Sequence, residues 1–398
     1  MAYEKMSSFV KIFPALNGDS ILIKINDYLM LIDGGYTNTF KEFIKPELIK
    51  LNSQAISLNH IIVTHIDKDH ISGIIKLIKE NNNSPFIKID SIWHNSFKHI
   101  KGLNPDINFS GKSVQELKIN YGLQEELTNT VKDISAVQGS TLASVLLESN
   151  YNWNSEFDGK AVSVDNETII NLTDEITLKL LSPSTEKLSA LNLDWKKELY
   201  KKGYSTTEDL QEFSEIAFES LIALQKEQKL IKKKDISATS LNIEELAKSA
   251  FFEDNASANG SSIAFILEYK KKKLLFLADA HPSTIINNLR LHYKEQDFPV
   301  YFDTIKVSHH GSQKNTSLEL LKLITSQRYV FLTNGKTHNH PAKETIGRII
   351  SQKTTYPKEL LFTYPLESIQ QFKDDMLMEK YNYQITEMNG SEPIKINL

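Results

Sequence analysis

The stretch IIVTHIDKDHISGI, residues 61–74, sets two His and two Asp into six positions directly behind an apolar run. HIIVTH is apolar, β-branched and short enough for a buried strand, whereas ISGIIKLIKE repeats its apolar residues at helical spacing through Ile71, Ile74, Ile75 and Ile78. The spacing predicts strand, loop, helix. A strand fixes the backbone, and the loop beyond its carboxyl end lets several side chains converge. His65, Asp67, Asp69 and His70 are therefore candidate metal ligands, His65 with Asp67 toward one ion and Asp69 with His70 toward a second. The competing reading is a polar turn in which Asp69 caps the helix and the His residues face water. Four ligand-type side chains beside one apolar strand favour metal.

Other strand ends carry the same chemistry. LLFLADAHP closes an apolar run on Asp279, DTIKVSHHGS closes another on His309 and His310, and NGKTHNHP supplies His338 and His340. Of 11 His, seven fall at strand ends or in loops: His65, His70, His281, His309, His310, His338 and His340. Such clustering points to one site assembled from distant segments.

Around these motifs the pattern is that of a layered α/β protein. FVKIFPAL, a turn at Asn17-Gly18-Asp19, SILIKIN, a turn at Asn26-Asp27 and YLMLIDGG read as an opening hairpin array. SIWHNSF is a further strand, helical stretches follow around Gln115 to Leu127 and Ile134 to Leu147, and 168–184 reads as two strands. Residues 185–257 are rich in Glu, Lys, Gln, Leu and Ala and carry no strand signal, which predicts a helical insertion with a mobile middle near Asp235 to Ser240. Strands resume at SSIAFILEY, KLLFLADA, FDTIKVSHH, YVFLTNG and LLFTYPL.

Composition narrows the chemistry. A chain of 398 residues has room for one large α/β domain with insertions or for two domains. With 40% hydrophobic and 24% charged residues and a net charge of −4, it is globular in type and has no overall attraction to nucleic acid. Two Lys runs, Lys229 with Lys232 to Lys234 and Lys270 to Lys273, are the local basic patches. The absence of Cys excludes disulfides, thiolate zinc sites and a Cys nucleophile, so any metal sits on His and carboxylate. MAYEKMSSFVKIFPA has no apolar export core and no 18-residue apolar stretch occurs, so a cytoplasmic location without a membrane span is expected.

THIDKDHISG resembles the HxHxDH signature of the metallo-β-lactamase superfamily, in the HxDxDH variant of the β-lactamase-like domain of the competence DNA-uptake channel protein. FPALNGDSILI…LMLIDGG is similar to that subgroup's opening hairpin, NGSSIAFIL…LLFLADA to its N-x-S and Gly-Asp strands, and DTIKVSHHGS to its closing His motif. The resemblance runs in order over roughly 10–95, 160–184 and 258–345. It implies an αββα sandwich whose first half is 1–184, with a helical loop segment at 100–150, whose insertion is 185–257, and whose second half is 258–398. It also implies His65 and Asp67 on one metal, Asp69 and His70 on the other, and Asp279 bridging. His309 is the implied late ligand with His310 as the alternative, Asp33 supports the ligands from behind, and His340, before Pro341, lies near the reacting substrate.

The chain departs from the subgroup at Leu16-Asn17 and at Ala278, neither of which is a ligand. No residue matches the superfamily's intermediate His ligand outright. His94 and His99 are candidates, Asn259 or a water is the alternative, and His338 stays open. Three carboxylates, Asp67, Asp69 and Asp279, make the set oxygen-rich, so manganese and magnesium compete with zinc, the first expectation. The expected reaction is hydrolysis by a hydroxide activated between two ions, with Asp69, His310 and His340 beside the reacting atoms and Lys314 near the leaving oxygen. Phosphodiesters, nucleic acid included, are the expected substrates, with Lys306, Lys314 and the Lys runs as phosphate contacts. A small-molecule ester, lactone or amide hydrolase is the alternative. A third class is a partner-gated or scaffolding subunit of a bacterial multi-gene system such as phage defence, docking through 185–257.

Overall fold

The computed structural model describes residues 8–103, 142–201 and 241–398. The expected helix at Gln115 to Leu127, the start of that at 134–147, Lys229 to Lys234 and the stretch Asp235 to Ser240 lie outside them. Strands β1 (Phe9–Ile12), β2 (Ile21–Ile25), β3 (Tyr28–Ile32), β4 (Leu58–Ile62), β5 (Ile89–Trp93) and β6 (Asn152–Trp153) come from the first half. They are followed by β7 (Ile169–Asn171), β8 (Ile176–Ser182), β9 (Ala264–Tyr269), β10 (Lys272–Phe276), β11 (Val300–Phe302) and β12 (Thr304–Lys306). The last are β13 (Ile324–Ser326), β14 (Arg328–Phe331), β15 (Lys358–Phe362), β16 (Tyr383–Glu387) and β17 (Ile394–Asn397).

Two sheets form, a seven-stranded one in the order β17-β1-β2-β3-β4-β5-β6 and an eight-stranded one in the order β16-β15-β14-β12-β10-β9-β8-β7, with β11 and β13 paired apart. Adjacent hairpin strands are antiparallel, while β3, β4 and β5 run parallel, as do β10, β12, β14 and β15. Parallel neighbours bring successive carboxyl ends to one edge of each sheet, where the ligand candidates lie.

Side-chain alternation explains why the central strands read as unbroken apolar runs. In β2, Ile21, Ile23 and Ile25 join a cluster with Phe265, Leu267 and Phe276 of the second sheet, whereas Leu22 turns the other way onto Ile74 and Leu77 of the helix Lys68–Asn83. In β10, Leu274 and Phe276 face the first sheet. Leu275 instead packs with Ile285 and Leu289 of the helix Pro282–His292 and Ile346 of the helix Lys343–Ile350. Helix, sheet, sheet, helix is thus the layer order, the αββα sandwich expected.

Within 185–257 the described residues form helices at Thr185–Lys201 and Ile243–Lys248, while 249–256 run without helix or strand. The second of these helices starts where the Asn242 side chain accepts from the Glu244 and Glu245 amides, at 3.1 and 3.3 Å. It lies so close to the helix Lys343–Ile350 that a Cβ on Gly347 would come within 2.7 Å of the Leu246 Cβ. Among the described residues no helix is long and apolar enough to cross a membrane.

Candidate metal centre

The strand β4 ends at Ile62, and the loop to Asp67 opens toward the second sheet. Asp33, just past β3 with φ of +53°, anchors this loop from behind. Its carboxylate accepts from the Thr64 amide at 2.8 Å and the Thr64 hydroxyl at 2.6 Å, and pairs with His70 Nδ1 at 2.8 Å. His70 reaches Asp33 because the first turns of the helix Lys68–Asn83 lie backbone to backbone on Gly34 and Gly35. The Gly34 amide donates to the His70 carbonyl at 2.8 Å and the Gly73 amide to the Gly35 carbonyl at 2.9 Å. A Cβ on Gly73 would sit 1.9 Å from the Gly34 oxygen, so this contact requires glycine. The capping alternative for Asp69 does not hold. Asp67 is the N-cap, without a side-chain capping bond, and the Asp69 carboxylate accepts from the Asn17 amide group at 2.9 Å.

The second sheet brings Asp279 from the end of β10 and His309 and His310 from the end of β12. Four ring nitrogens surround the buried Asp279 carboxylate: His65 Nε2 at 3.7 Å, His70 Nε2 at 3.9 Å, His309 Nε2 at 3.6 Å and His310 Nε2 at 4.0 Å. These gaps exceed hydrogen bonds, and imidazole nitrogens facing a carboxylate in this way are a donor set that would suit a divalent cation. Ligand-type atoms of His65, His70 and Asp279 lie within 4.8 Å of one another, as do those of Asp19, His70 and His310. Buried His70 Nε2 and Asp279 Oδ1 have no hydrogen-bond partner among the described residues. Asp67 stands 3.0 Å from His65 Nε2.

The two late His residues play different parts. His310 Nδ1 donates to the Leu332 carbonyl at 2.8 Å, which presents Nε2 as the lone-pair nitrogen, 3.7 Å from Asp69 Oδ2. His309 instead turns Nδ1 toward Asn315 Oδ1 at 3.0 Å and Asp254 Oδ2 at 3.4 Å. His310 thus joins Asp69 and His70, while His309 keeps Nε2 at 3.6 Å from Asp279 and also lines the adjoining cavity.

Of the intermediate-ligand candidates, neither His94 nor His99 belongs to the two clusters. The His94 ring stacks on Trp153 at 6.0 Å. His99 Nδ1 meets the Ser96 amide at 3.1 Å, capping a short helix, and burial, with Lys98 and His94 adding to it, pushes its pKa down to about 2. Asn259 bonds Asp254 Oδ2 at 2.5 Å and lies 3.3 Å from His309 Nδ1. His281 is away from the centre, its ring set between the Ala256 carbonyl and Lys187, both at 3.1 Å. His340 packs its ring 5.2 Å from that of His309, and His338 follows at 5.9 Å from His340. Beside the centre, His309, His338, His340, Lys314, Asp194 and Asp254 line a cavity of about 440 Å³.

Two expectations about basic residues are corrected. Lys306 is not a phosphate contact: it is 2% exposed, in direct ion pair with Asp19 Oδ2, and donates to the Ala278 carbonyl at 3.1 Å. Lys270 to Lys273 lie at the hairpin end of β10, opposite Asp279, with Lys272 paired to Asp303 at 2.8 Å. Sequence reading missed Asp19 and Asp254 as parts of the site. A carboxylate between Gly18 and Ser20, just ahead of the apolar β2, was the available signal for Asp19, and Asp254 had none.

Burial works against a charged His70, but the Asp33 charge and hydrogen bond, with Asp19 and Asp279 behind them, raise its pKa to about 10. Burial likewise opposes ionised Asp279, and His309, His310, His70 and His65 outweigh it, holding the carboxyl well below its usual range.

Residues 14–106, which include Asp33, His65, Asp67, Asp69 and His70, match the family model described as the Metallo-beta-lactamase superfamily. The UPF0173 protein YddR of Bacillus subtilis (strain 168) is 29% identical over 117 residues, 26% of this chain and 46% of YddR, so the chain spans less than half of that relative. Among solved structures, the metallo-beta-lactamase fold protein YhfI from Bacillus subtilis is 11% identical, with a TM-score of 0.34 over 98% of this chain and 100% of that chain. CmlA, a diiron beta-hydroxylase from Streptomyces venezuelae, is 8% identical, with a TM-score of 0.39 over 98% of this chain and 54% of CmlA. Zn(2+)-bound PqqB from Methylobacterium extorquens is 7% identical, with a TM-score of 0.35 over 96% of this chain and 87% of PqqB.

Proposed function

We propose that this chain belongs to the metallo-β-lactamase superfamily, which its residues 14–106 match, and that it is a metal-dependent hydrolase with a dinuclear centre that acts on phosphodiesters. The observation that carries the reading is the set of four imidazole nitrogens at 3.6–4.0 Å around the buried Asp279 carboxylate. Polar groups buried without hydrogen bonds, such as His70 Nε2 and Asp279 Oδ1, destabilise a fold unless something else compensates them. Divalent cations fit that role. In this reading His65 and Asp67 would hold one ion and Asp69, His70 and His310 the other, with Asp279 available to both. Zinc suits the imidazoles, and the three carboxylates leave manganese and magnesium as competitors. Bound there, such ions bring the pKa of water down to about 7 and stabilise negative charge as it develops on the attacked group.

The chain's own residues do the rest. Asp33 and the Leu332 carbonyl fix the rings of His70 and His310, so the ligand atoms are oriented before any ion arrives. His340 and His309 stand between the centre and the cavity, and Lys314 places a positive charge on the cavity wall beside a leaving oxygen. A second reading, a small ester or lactone hydrolase, is favoured by the cavity itself: about 440 Å³ suits a small molecule, and Asp194 and Asp254 on its wall oppose a long polyanion. Those two residues belong to 185–257, which supports a third role for that segment in coupling a protein partner to the site.

The test is turnover of a bis-aryl phosphodiester, single- and double-stranded DNA, RNA, an aryl ester and a lactone, each with zinc, manganese or magnesium. Phosphodiester turnover that falls by at least about 1,000-fold in Asp279→Ala supports the main reading. Ester or lactone turnover alone transfers it to the second, and no turnover with both ions bound favours partner gating.

A further inference from the structure

Asp19 is buried beside the candidate ligands His70 and His310. It is 2% exposed, and its carboxylate lies within 4.8 Å of ring nitrogens of His70 and His310. Its Oδ1 has no hydrogen-bond partner among the described residues. The nearest ring nitrogen, His310 Nδ1 at 3.4 Å, has its proton committed to the Leu332 carbonyl. Its Oδ2 is engaged directly by the ammonium of Lys306. Lys306 is itself buried, donates to the Ala278 carbonyl at 3.1 Å and stands 3.9 Å from Asp279 Oδ1. A Lys placed among ligands repels the cations they would bind, and a carboxylate placed there attracts them. The pair cancels both effects, and it costs the desolvation of two charges, which packing alone does not explain.

We propose that Lys306 is a positioning residue that holds Asp19 out of the coordination sphere of the ion on the Asp69, His70 and His310 side, keeping one position open there for water and substrate. The proposal rests on the dinuclear reading above. Catalytic metal sites keep an open position, whereas closed ones are structural, so a further protein ligand would bind the ion more tightly and work less well. Lys306 gives up affinity to preserve the vacancy, and Asp19 keeps the Lys charge from expelling the ion.

The two halves of the pair therefore have opposite effects when removed. In Lys306→Met, Asp19 is released to ligate: zinc binding at the second position tightens by at least about tenfold, and turnover falls. The cobalt-substituted protein then shows weaker visible absorption, as coordination number rises. In Asp19→Asn, the ammonium is left 3.9 Å from Asp279 Oδ1, and zinc at that position weakens by at least about tenfold. In Asp19→Asn/Lys306→Met both effects vanish and affinity returns to within about threefold of the parent. A purely structural pair predicts something else: both single variants weaken binding, with no change of sign and no change in the cobalt spectrum.

Zinc titration against a chromophoric chelator reads all three variants, and melting of the metal-free proteins reports folding separately. Should either single variant fail to fold, the double variant, which leaves no unpaired charge, and Lys306→Arg still decide. Both keep two ions at near-parental affinity if the account holds, and loss of the second ion from either overturns it. A parent protein that binds no zinc refutes the dinuclear reading itself. A parent that binds two ions, with Lys306→Met no tighter, refutes only the role given to Lys306.

Discussion

Asp33 shows how much a single side chain can organise without touching an ion. It takes the Thr64 amide and hydroxyl and His70 Nδ1, tying the loop after β4 to the first turn of the next helix. Replacing it with Asn keeps the shape but removes the charge that aligns His70. Zinc affinity is expected to drop by about 10- to 100-fold with little loss of helix content, as read by titration and circular dichroism. His309 and His310 separate in the same assay: His310→Ala is expected to lose one of two ions, while His309→Ala keeps both and loses turnover. A second residue-scale prediction lies far from the centre. Glu156 accepts from Trp93 Nε1 at 2.7 Å and pairs with His60 Nε2 at 3.2 Å. Burial alone would raise its pKa, but His60 and Trp93 outweigh this and draw it down from 4.5 to about 2. The folded-state value is the lower one, so Glu156 stabilises fully above pH 4.5, and that contribution disappears as pH falls toward 2. Glu156→Gln is expected to cost on the order of 2 kcal/mol at pH 7 and progressively less between 4.5 and 2, by urea melts across that range. A difference independent of pH would contradict it.

At the scale of elements, the decisive contact is the helix Lys68–Asn83 lying on the Asp33-Gly34-Gly35 turn. Gly73→Ala puts a methyl 1.9 Å from the Gly34 oxygen, which forces the helix away and carries His70 from Asp33. Thermal melting should show a loss of about 1–3 kcal/mol, with zinc affinity falling in parallel. Unchanged affinity would mean that the helix is free to shift without moving its ligands. The same element was the most legible in the sequence, because a β-branched run followed by apolar residues at helical spacing has one reading. Strands β2, β3, β4, β9 and β10 were legible for a related reason: both faces are buried, so their apolar runs are continuous. Strands β6, β11, β13 and β17 left little trace, being two to four residues long or at an edge where polar side chains alternate.

For the whole molecule, a layered α/β pattern and the placing of His65, Asp67, Asp69, His70 and Asp279 at strand ends could be read from the residues, whereas the αββα order was implied by the family resemblance. What could not be read is how charges pair across the two sheets. Lys306 lies inside an apolar strand and resembles a surface Lys, and only the sandwich reveals that it faces Asp19 from the other sheet. His281, one of the seven His at strand ends or in loops, follows Asp279 by two residues, yet its ring packs between the Ala256 carbonyl and Lys187. The centre joins both sheets, so an ion bound there joins the two halves of the molecule. Removing ions with a chelator is therefore expected to lower the melting temperature, and restoring zinc to raise it in proportion to the logarithm of its concentration. The most direct test of the central claim is anomalous diffraction from zinc-loaded crystals. The account predicts two peaks flanking Asp279, one beside His65 and Asp67 and the other beside Asp69, His70 and His310. No peak at Asp279, or zinc held only elsewhere, would contradict it.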